Sequence, residues 1–258
     1  MGQLGRVLIV VPCFNCEKQI VRVIDSINKH LVDRIDEVLL VENQSHRDKT
    51  LESAFEKINS IESDKFHLIQ NNINVGLGGS HKVGIKYAIE HGFDLIAFIH
   101  GDHQTDPKEL NDLLDEMSKD LDLRACLGAR FMRGSRLFGY NWMRKIANRG
   151  LNLLYSLVSM KKTYELGAGL SVHRVEDFKD RSFLEFTNDF NFYCFMLLDY
   201  YSKKSKLKFF PISYYETDQI SNVGNLKIGL LTLKCVLHWR FFGLEKFSFR
   251  DKGYQRII

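Results

Sequence analysis

In HGDHQTDP, residues 100–107, two carboxylates and an imidazole follow directly on the apolar run LIAFI. Asp102 sits just beyond what reads as a buried strand, with His100 two places before it and Gln104 two places after. A carboxylate at that position suits a hard divalent cation that also holds substrate phosphates, and Gln104 can join through its amide oxygen. Asp106 has a different explanation. Asp106-Pro107-Lys108-Glu109 carries an N-cap residue, proline at the first helical position and an acid at the third, the signature of a capping box.

Other stretches carry weaker signals. NVGLGGSHKVG (74–84) is glycine-rich and opens a helical pattern, where free backbone N–H groups favour anions. It departs from the dinucleotide fingerprint because His81 replaces the third glycine, and it lacks a P-loop's Gly-Lys-Ser/Thr. A tight turn and a substrate-lining role both remain open for it. Cys13 and Cys16 form a CxxC between a strand and a helix, the context of a redox site, but small buried thiols are the commoner outcome. Between residues 130 and 162 the chain is strongly basic, while Met143, Ala147, Leu151, Leu154 and Val158 follow helical spacing. That spacing predicts either a packed core helix or an amphipathic helix at an anionic membrane surface, with Tyr140 and Trp142 at the interface. Residues 225–243 repeat the mixture of leucines, aromatics and basic groups.

The elements that position these residues alternate. Short apolar runs at 6–11, 37–42, 66–70 and 94–100 read as buried strands; helical stripes at 17–31, 50–61 and 80–91 separate them. This order predicts an α/β architecture, a mainly parallel Rossmann-like sheet with helices on both faces. In such sheets ligands bind beyond the carboxyl ends of the strands, which is where PCFN, NQSHRD, the glycine-rich loop and HGDHQTDP all fall.

A chain of 258 residues with 45% hydrophobic and 26% charged residues can bury a full core. Its net charge of +4 gives no reason to expect a nucleic-acid partner. Five cysteines, an odd number without a signal-peptide pattern, fit a reducing compartment. Nowhere do 18 apolar residues run together, so no membrane span is predicted.

The order of motifs resembles family 2 glycosyltransferases of the GT-A fold, particularly bacterial relatives of the polyprenyl-phosphate sugar transferases. The resemblance rests on VVPCFNCE (10–17), VENQS (41–45), NVGLGGS (74–80), HGDHQTDP (100–107), GARF (128–131) and ELGAGLSVHR (165–174), in that sequence. It implies a glycosyltransferase domain over residues 1–223, its donor half about 1–130 and its acceptor half about 131–223, followed by an amphipathic helical tail at 224–258. It implies an inverting transfer from a nucleoside-diphosphate sugar to a lipid-linked or saccharide acceptor in cell-surface polysaccharide or glycolipid assembly. Pro12, Phe14 and Asn15 would line the nucleotide pocket with Gly78 and Gly79, and Glu42 and Asn43 would read the base or ribose. Asp102 would hold Mg2+ or Mn2+ against the diphosphate, with His100 and Gln104 beside it. A hydroxyl acceptor needs a carboxylate base, for which Asp189 is the first candidate and Glu165 the second. A phosphate acceptor needs none.

Departures from the pattern matter. His100 replaces the first acid of the Asp-x-Asp pair, and imidazole suits Mn2+ better than Mg2+. Cys16 and Glu42 also stand at altered positions, and the relatives' carboxy-terminal membrane helices have no counterpart in the sequence. The expected location is the cytoplasm, peripheral on the inner face of the cell membrane. The competing readings are an inactive sugar-nucleotide or lipid-binding protein and a nucleotidyltransferase; PCFNCEKQ lacks the basic glycine-rich loop that the latter needs.

Overall fold

A computed structural model describes residues 4–167, 169–216, 218, 225–243 and 254–258. Strands β1 (Val7–Cys13), β2 (Glu37–Glu42), β3 (Phe66–Asn71) and β4 (Leu95–Ile99) are the four apolar runs, and they pair in parallel in the order β3-β2-β1-β4. Helices α1 (Glu17–His30), α2 (Thr50–Asn59) and α3 (Gly76–Glu90) connect them, and α4 (Leu110–Lys119) follows β4. Every residue of β1 is buried because both faces of the sheet are covered. Ile9 and Val11 face a layer made with Ile20, Ile24, Leu113 and Leu114. Leu8 and Val10 face the opposite layer, with Val83, Ala88, Phe195 and Leu198.

The second half of the chain enters the same sheet. After β5 (Ala125–Ala129), β6 (Arg136–Phe138) and α5 (Trp142–Ser159) comes β7 (Leu170–Arg174), which inserts antiparallel between β4 and β5. Helix α6 (Phe192–Ser202) then leads to β8 (Leu207–Pro211), parallel to β5, and β9 (Ser213–Tyr215) pairs with β6 in a small second sheet. Residues from both the 1–130 and the 131–223 stretches thus contribute strands to one sheet. Helix α7 (Asn225–Phe242) falls where the helical tail was expected, and β10 (Tyr254–Arg256) after it adds antiparallel to β3. The main sheet runs β10-β3-β2-β1-β4-β7-β5-β8.

Two elements differ instructively from their sequence reading. Helix α3 begins four residues early, so the glycine-rich loop forms its first turn. A Cβ on Gly78 would lie 2.7 Å from Phe192 Cβ and from the Thr187 carbonyl oxygen, and one on Gly84 would lie 2.6 Å from Val10. These glycines permit close packing of a helix against its neighbours. Helix α5 has the expected amphipathic spacing but buries the other face: Asn152, Tyr155 and Ser159 point inward, while Trp142, Met143, Ile146, Leu153, Leu154 and Leu157 are exposed. Of the stripe itself, Met143, Ala147 and Leu154 are exposed, whereas Leu151 and Val158 are partly buried and Val158 packs against the core. No helix among the described residues is long and apolar enough to cross a membrane.

Candidate active site

Two cavities open beyond the carboxyl ends of the parallel strands, as the topology requires. The first, of about 330 Å3, runs from the ends of β1 and β2 to the loop after β4. Pro12, Phe14, Asn43 and Asn74 line one part of it; His100, Asp102 and Gln104 line the other. The second cavity, about 250 Å3, lies beneath α5 and shares His100, Asp102, Gln104, Arg144 and Tyr214 with the first. HGDHQTDP is thus the junction between two binding spaces.

The loops around the first cavity are held by the residues that sequence analysis assigned to the ligand. Asn15, in the left-handed region at φ +50°, accepts from the backbone N–H groups of His46 and Arg47, at 3.1 Å each. It locks one loop against the next and does not line the cavity. Glu42 is fully buried, and its carboxylate accepts from the Gln44 and Ser45 amides and from Gln70 Nε2. These bonds anchor its own loop, and Glu42 does not line the cavity. Gly78 and Gly79 likewise pack against neighbouring side chains and backbone, while Gly76, Leu77 and Ser80 reach the cavity. Both CxxC thiols are free and buried. Burial pushes Cys16 up to about 12 and Cys13 well above the ordinary thiol range, so neither forms the thiolate that redox exchange requires.

At the junction, Gly101 lets the loop cross tightly over β1, donating its N–H to the Pro12 carbonyl at 3.0 Å. Asp102 is half-buried and lends Oδ1 to the Gln104 N–H at 3.2 Å. Gln104 Oε1 accepts from the Tyr214 hydroxyl at 2.6 Å and keeps a second lone pair. Asp106 caps the following turn through Lys108 N–H, as its sequence context predicts. Glu109 does not complete the capping box; its carboxylate accepts from Ser213 N–H and ties β9 to the loop. The His100 ring lines both cavities, but its Nε2 is shielded and without a partner, and burial lowers its pKa, keeping it neutral. Among the described residues no three His, Cys, Asp or Glu side chains cluster as a metal cage. One carboxylate beside an amide oxygen fits a hard cation that takes the rest of its coordination from phosphate oxygens.

In the second cavity Glu165 is buried and engaged on every side. Arg130 Nε and Nη2 each donate to it at 2.7 Å, and the Arg130, Leu166 and Gly167 N–H groups add three further bonds. Burial alone would lower the Arg130 pKa, but the Glu165 carboxylate outweighs it and the net shift is upward. Asp189 is exposed and lines neither cavity; it accepts from Asn191 N–H at 2.8 Å at the start of α6. The structure therefore brings Glu165 to the site as an ion-paired group and leaves the first base candidate outside. Sequence analysis overlooked Arg144, which lies in the first turn of α5, lines both cavities and pairs with Glu216. Its Nε is buried without a partner. One arginine in a basic stretch gave no local sign of this placement.

The wall formed by residues 184–191 hangs on a buried lysine. Lys82 Nζ donates to the carbonyls of Leu184 and Phe186 and, at 2.6 Å, to Asn188 Oδ1. Burial lowers its pKa to about 8. Because the folded value lies below the unfolded one, the cost of burying the charge is complete below about pH 8 and is relieved as pH rises towards 10.5. We expect the wild type to gain thermal stability relative to Lys82→Met between pH 7.5 and 10, measured by paired melts. A constant difference would show that Lys82 does not titrate in this window.

Similarity to known proteins agrees with this geometry. Residues 8–182 match the model of the family described as Glycosyl transferase family 2. An uncharacterized protein of Methanocaldococcus jannaschii is 26% identical over 181 residues, covering 67% of this chain and 74% of that protein. The dodecaprenyl-phosphate galacturonate synthase of Rhizobium johnstonii is 28% identical over 174 residues, covering 66% of this chain and 48% of the synthase. Among solved structures, the glucosyl-3-phosphoglycerate synthase of Mycobacterium tuberculosis bound to UDP superposes with a TM-score of 0.68 at 15% identity, over 97% of this chain and 90% of that one. Its complex with Mn2+, UDP and glucosyl-3-phosphoglycerate gives 0.66 at 16%, over 98% and 86%. At that identity the likeness concerns the fold, a GT-A glycosyltransferase fold. With more than half of its length matched by the family model, the chain belongs to glycosyl transferase family 2.

Proposed function

We propose that this glycosyltransferase moves a sugar, with inversion, from a nucleoside-diphosphate sugar to a phosphate carried by a lipid, in cell-surface polysaccharide or glycolipid assembly. The observation that carries the reading is the pair of cavities meeting at Asp102: among the described residues the second is lined by no carboxylate other than Asp102, which faces the donor diphosphate, and the ion-paired Glu165. Glu165 is saturated by Arg130 and backbone amides, and Asp189 lies outside. A sugar hydroxyl would lack a base there, whereas a phosphate is already anionic and attacks without one. This replaces the lipid-linked sugar hydroxyl favoured by an Asp189 base. The dodecaprenyl-phosphate galacturonate synthase relative supports a polyprenyl phosphate acceptor.

Asp102 and Gln104 would hold Mg2+ or Mn2+; the Mn2+-bound relative supports a divalent ion in this fold. When bound, the ion offsets charge on the departing nucleoside diphosphate. The protein's own part is to seat the diphosphate at the junction, direct Arg144 towards it, and keep the acceptor phosphate on the opposite side of the anomeric carbon. Nucleoside-diphosphate release, assayed over a panel of sugar nucleotides with polyprenyl phosphate or a lipid-linked sugar as acceptor, tests the reading. We expect turnover with the phosphate. Turnover only with the lipid-linked sugar would refute it, and binding without turnover on any acceptor would favour the inactive binding protein.

The exposed face of α5 fits the same acceptor. Trp142, Ile146, Leu153, Leu157 and Met160 stand 60–79% exposed beside Lys145, Arg149, Lys161 and Lys162. Such a face buries apolar groups in a bilayer while its cations meet anionic headgroups, each worth about 1 kcal/mol near the surface. The chain would then work peripherally at the inner face of the cell membrane. We expect sedimentation with anionic liposomes and release by salt; equal behaviour with neutral liposomes, or none with either, would count against it.

A further inference from the structure

We infer that the donor cavity selects a uracil nucleotide over a guanine nucleotide, because the amides lining its β2 side have only N–H donors left to offer. The inference rests on the nucleotide-sugar reading above and adds the identity of the base. The cavity spans the ends of β2, β1 and β4 in that spatial order, with the phosphate-directed groups at β4. The base is thereby placed at the β1–β2 side, against Phe14, Asn43, Asn74 and Ser80.

Each amide there has its orientation set by a backbone N–H, a group that can only donate. Asn43 Oδ1 accepts from Val75 N–H at 2.9 Å and from Asn71 Nδ2 at 3.0 Å, which uses both lone pairs. Its Nδ2 gives one hydrogen to Asn74 Oδ1 at 3.0 Å and retains the other. Asn74 Oδ1 also accepts from Gly76 N–H at 2.9 Å, so it too is full, and Nδ2 keeps two hydrogens. Ser80 Oγ accepts from Asn71 Nδ2 at 3.3 Å and keeps its O–H. The carboxylate on this side, Glu42, is turned into the backbone amides of its own loop and does not reach the cavity.

Uracil presents two carbonyl oxygens to such a wall and a single N3–H between them, for which Ser80 Oγ keeps one lone pair. Guanine presents N1–H and an amino group on its pairing edge, more donors than the one remaining acceptor, Ser80 Oγ, can take. Sites of fixed hydrogen-bond polarity discriminate strongly, because the mismatched partner leaves buried polar groups unpaired.

Calorimetric titration of the full chain with UDP and with GDP, each with MnCl2, tests the inference. We expect UDP to bind at least about tenfold more tightly. Asn74→Asp keeps the acceptor oxygen for Gly76 and replaces the amino group by a second oxygen, reversing polarity at one exposed position with little change of shape. It should weaken UDP at least about tenfold and leave GDP unweakened. GDP binding as tightly as UDP to the wild type, or an unchanged ratio in a folded Asn74→Asp variant, would overturn the inference while leaving the glycosyltransferase reading intact. If neither nucleotide binds the folded wild type, the donor reading fails and takes this inference with it.

Discussion

Asp102→Ala should cut turnover at least about 100-fold, the loss typical when a group that stabilises charge at the reacting centre is removed. Asp102 is the carboxylate common to both cavities and stands where the loop after β4 passes over β1. Its bond inside the protein is a single contact with Gln104 N–H, so removing it should change fold stability by only about 1 kcal/mol. The effect is therefore separable from unfolding. Manganese affinity in the presence of UDP, measured by the decrease of free-ion signal, should fall with turnover. His100→Asp should move in the other direction, adding a carboxylate where a shielded neutral imidazole now stands and shifting preference towards Mg2+. Full turnover of Asp102→Ala, or of the wild type in excess chelator, would remove the metal from the mechanism.

What the sequence made legible was local. Four continuous apolar runs can be buried on both faces only in a covered parallel sheet, and β1 to β4 form as they read. Asp106 needs only its next three residues to be recognised as a cap. What escaped depended on distant partners. LSVHR at 170–174 carries a histidine and a serine, yet it becomes a central strand because His173 bonds Ser171 Oγ and Tyr200 OH inside the core. Helix α5 hid its inward face for a similar reason: Asn152 is buried because its Nδ2 reaches the Tyr164 carbonyl at 2.6 Å. Glu42 kept the position expected of a ligand-reading acid, but its environment is made by Gln70 and two loop amides that spacing does not reveal.

The two carboxylates weighed as a base should respond in opposite ways to substitution. Glu165→Ala is expected to destabilise the protein by about 3–5 kcal/mol, because it leaves the Arg130 guanidinium buried without its counter-ion. Activity would fall with the fold, so the single variant does not distinguish a base from a strut. The double variant Arg130→Met, Glu165→Leu does. Replacing a buried pair by apolar groups of similar volume is often close to neutral, and thermal unfolding should recover most of the lost stability. Its acceptor KM should nevertheless stay raised, since Arg130 and Glu165 both line the second cavity. Asp189→Asn is the contrast. Asparagine can make the same bond to Asn191 N–H, the side chain is exposed, and no cavity is altered, so rates should remain within about threefold of wild type. A loss of about 100-fold in Asp189→Asn with nucleotide affinity intact would restore Asp189 as a general base and, with it, a hydroxyl acceptor. Preserved rates in that variant, together with a double variant that folds but binds acceptor poorly, are the outcome that a phosphate acceptor requires.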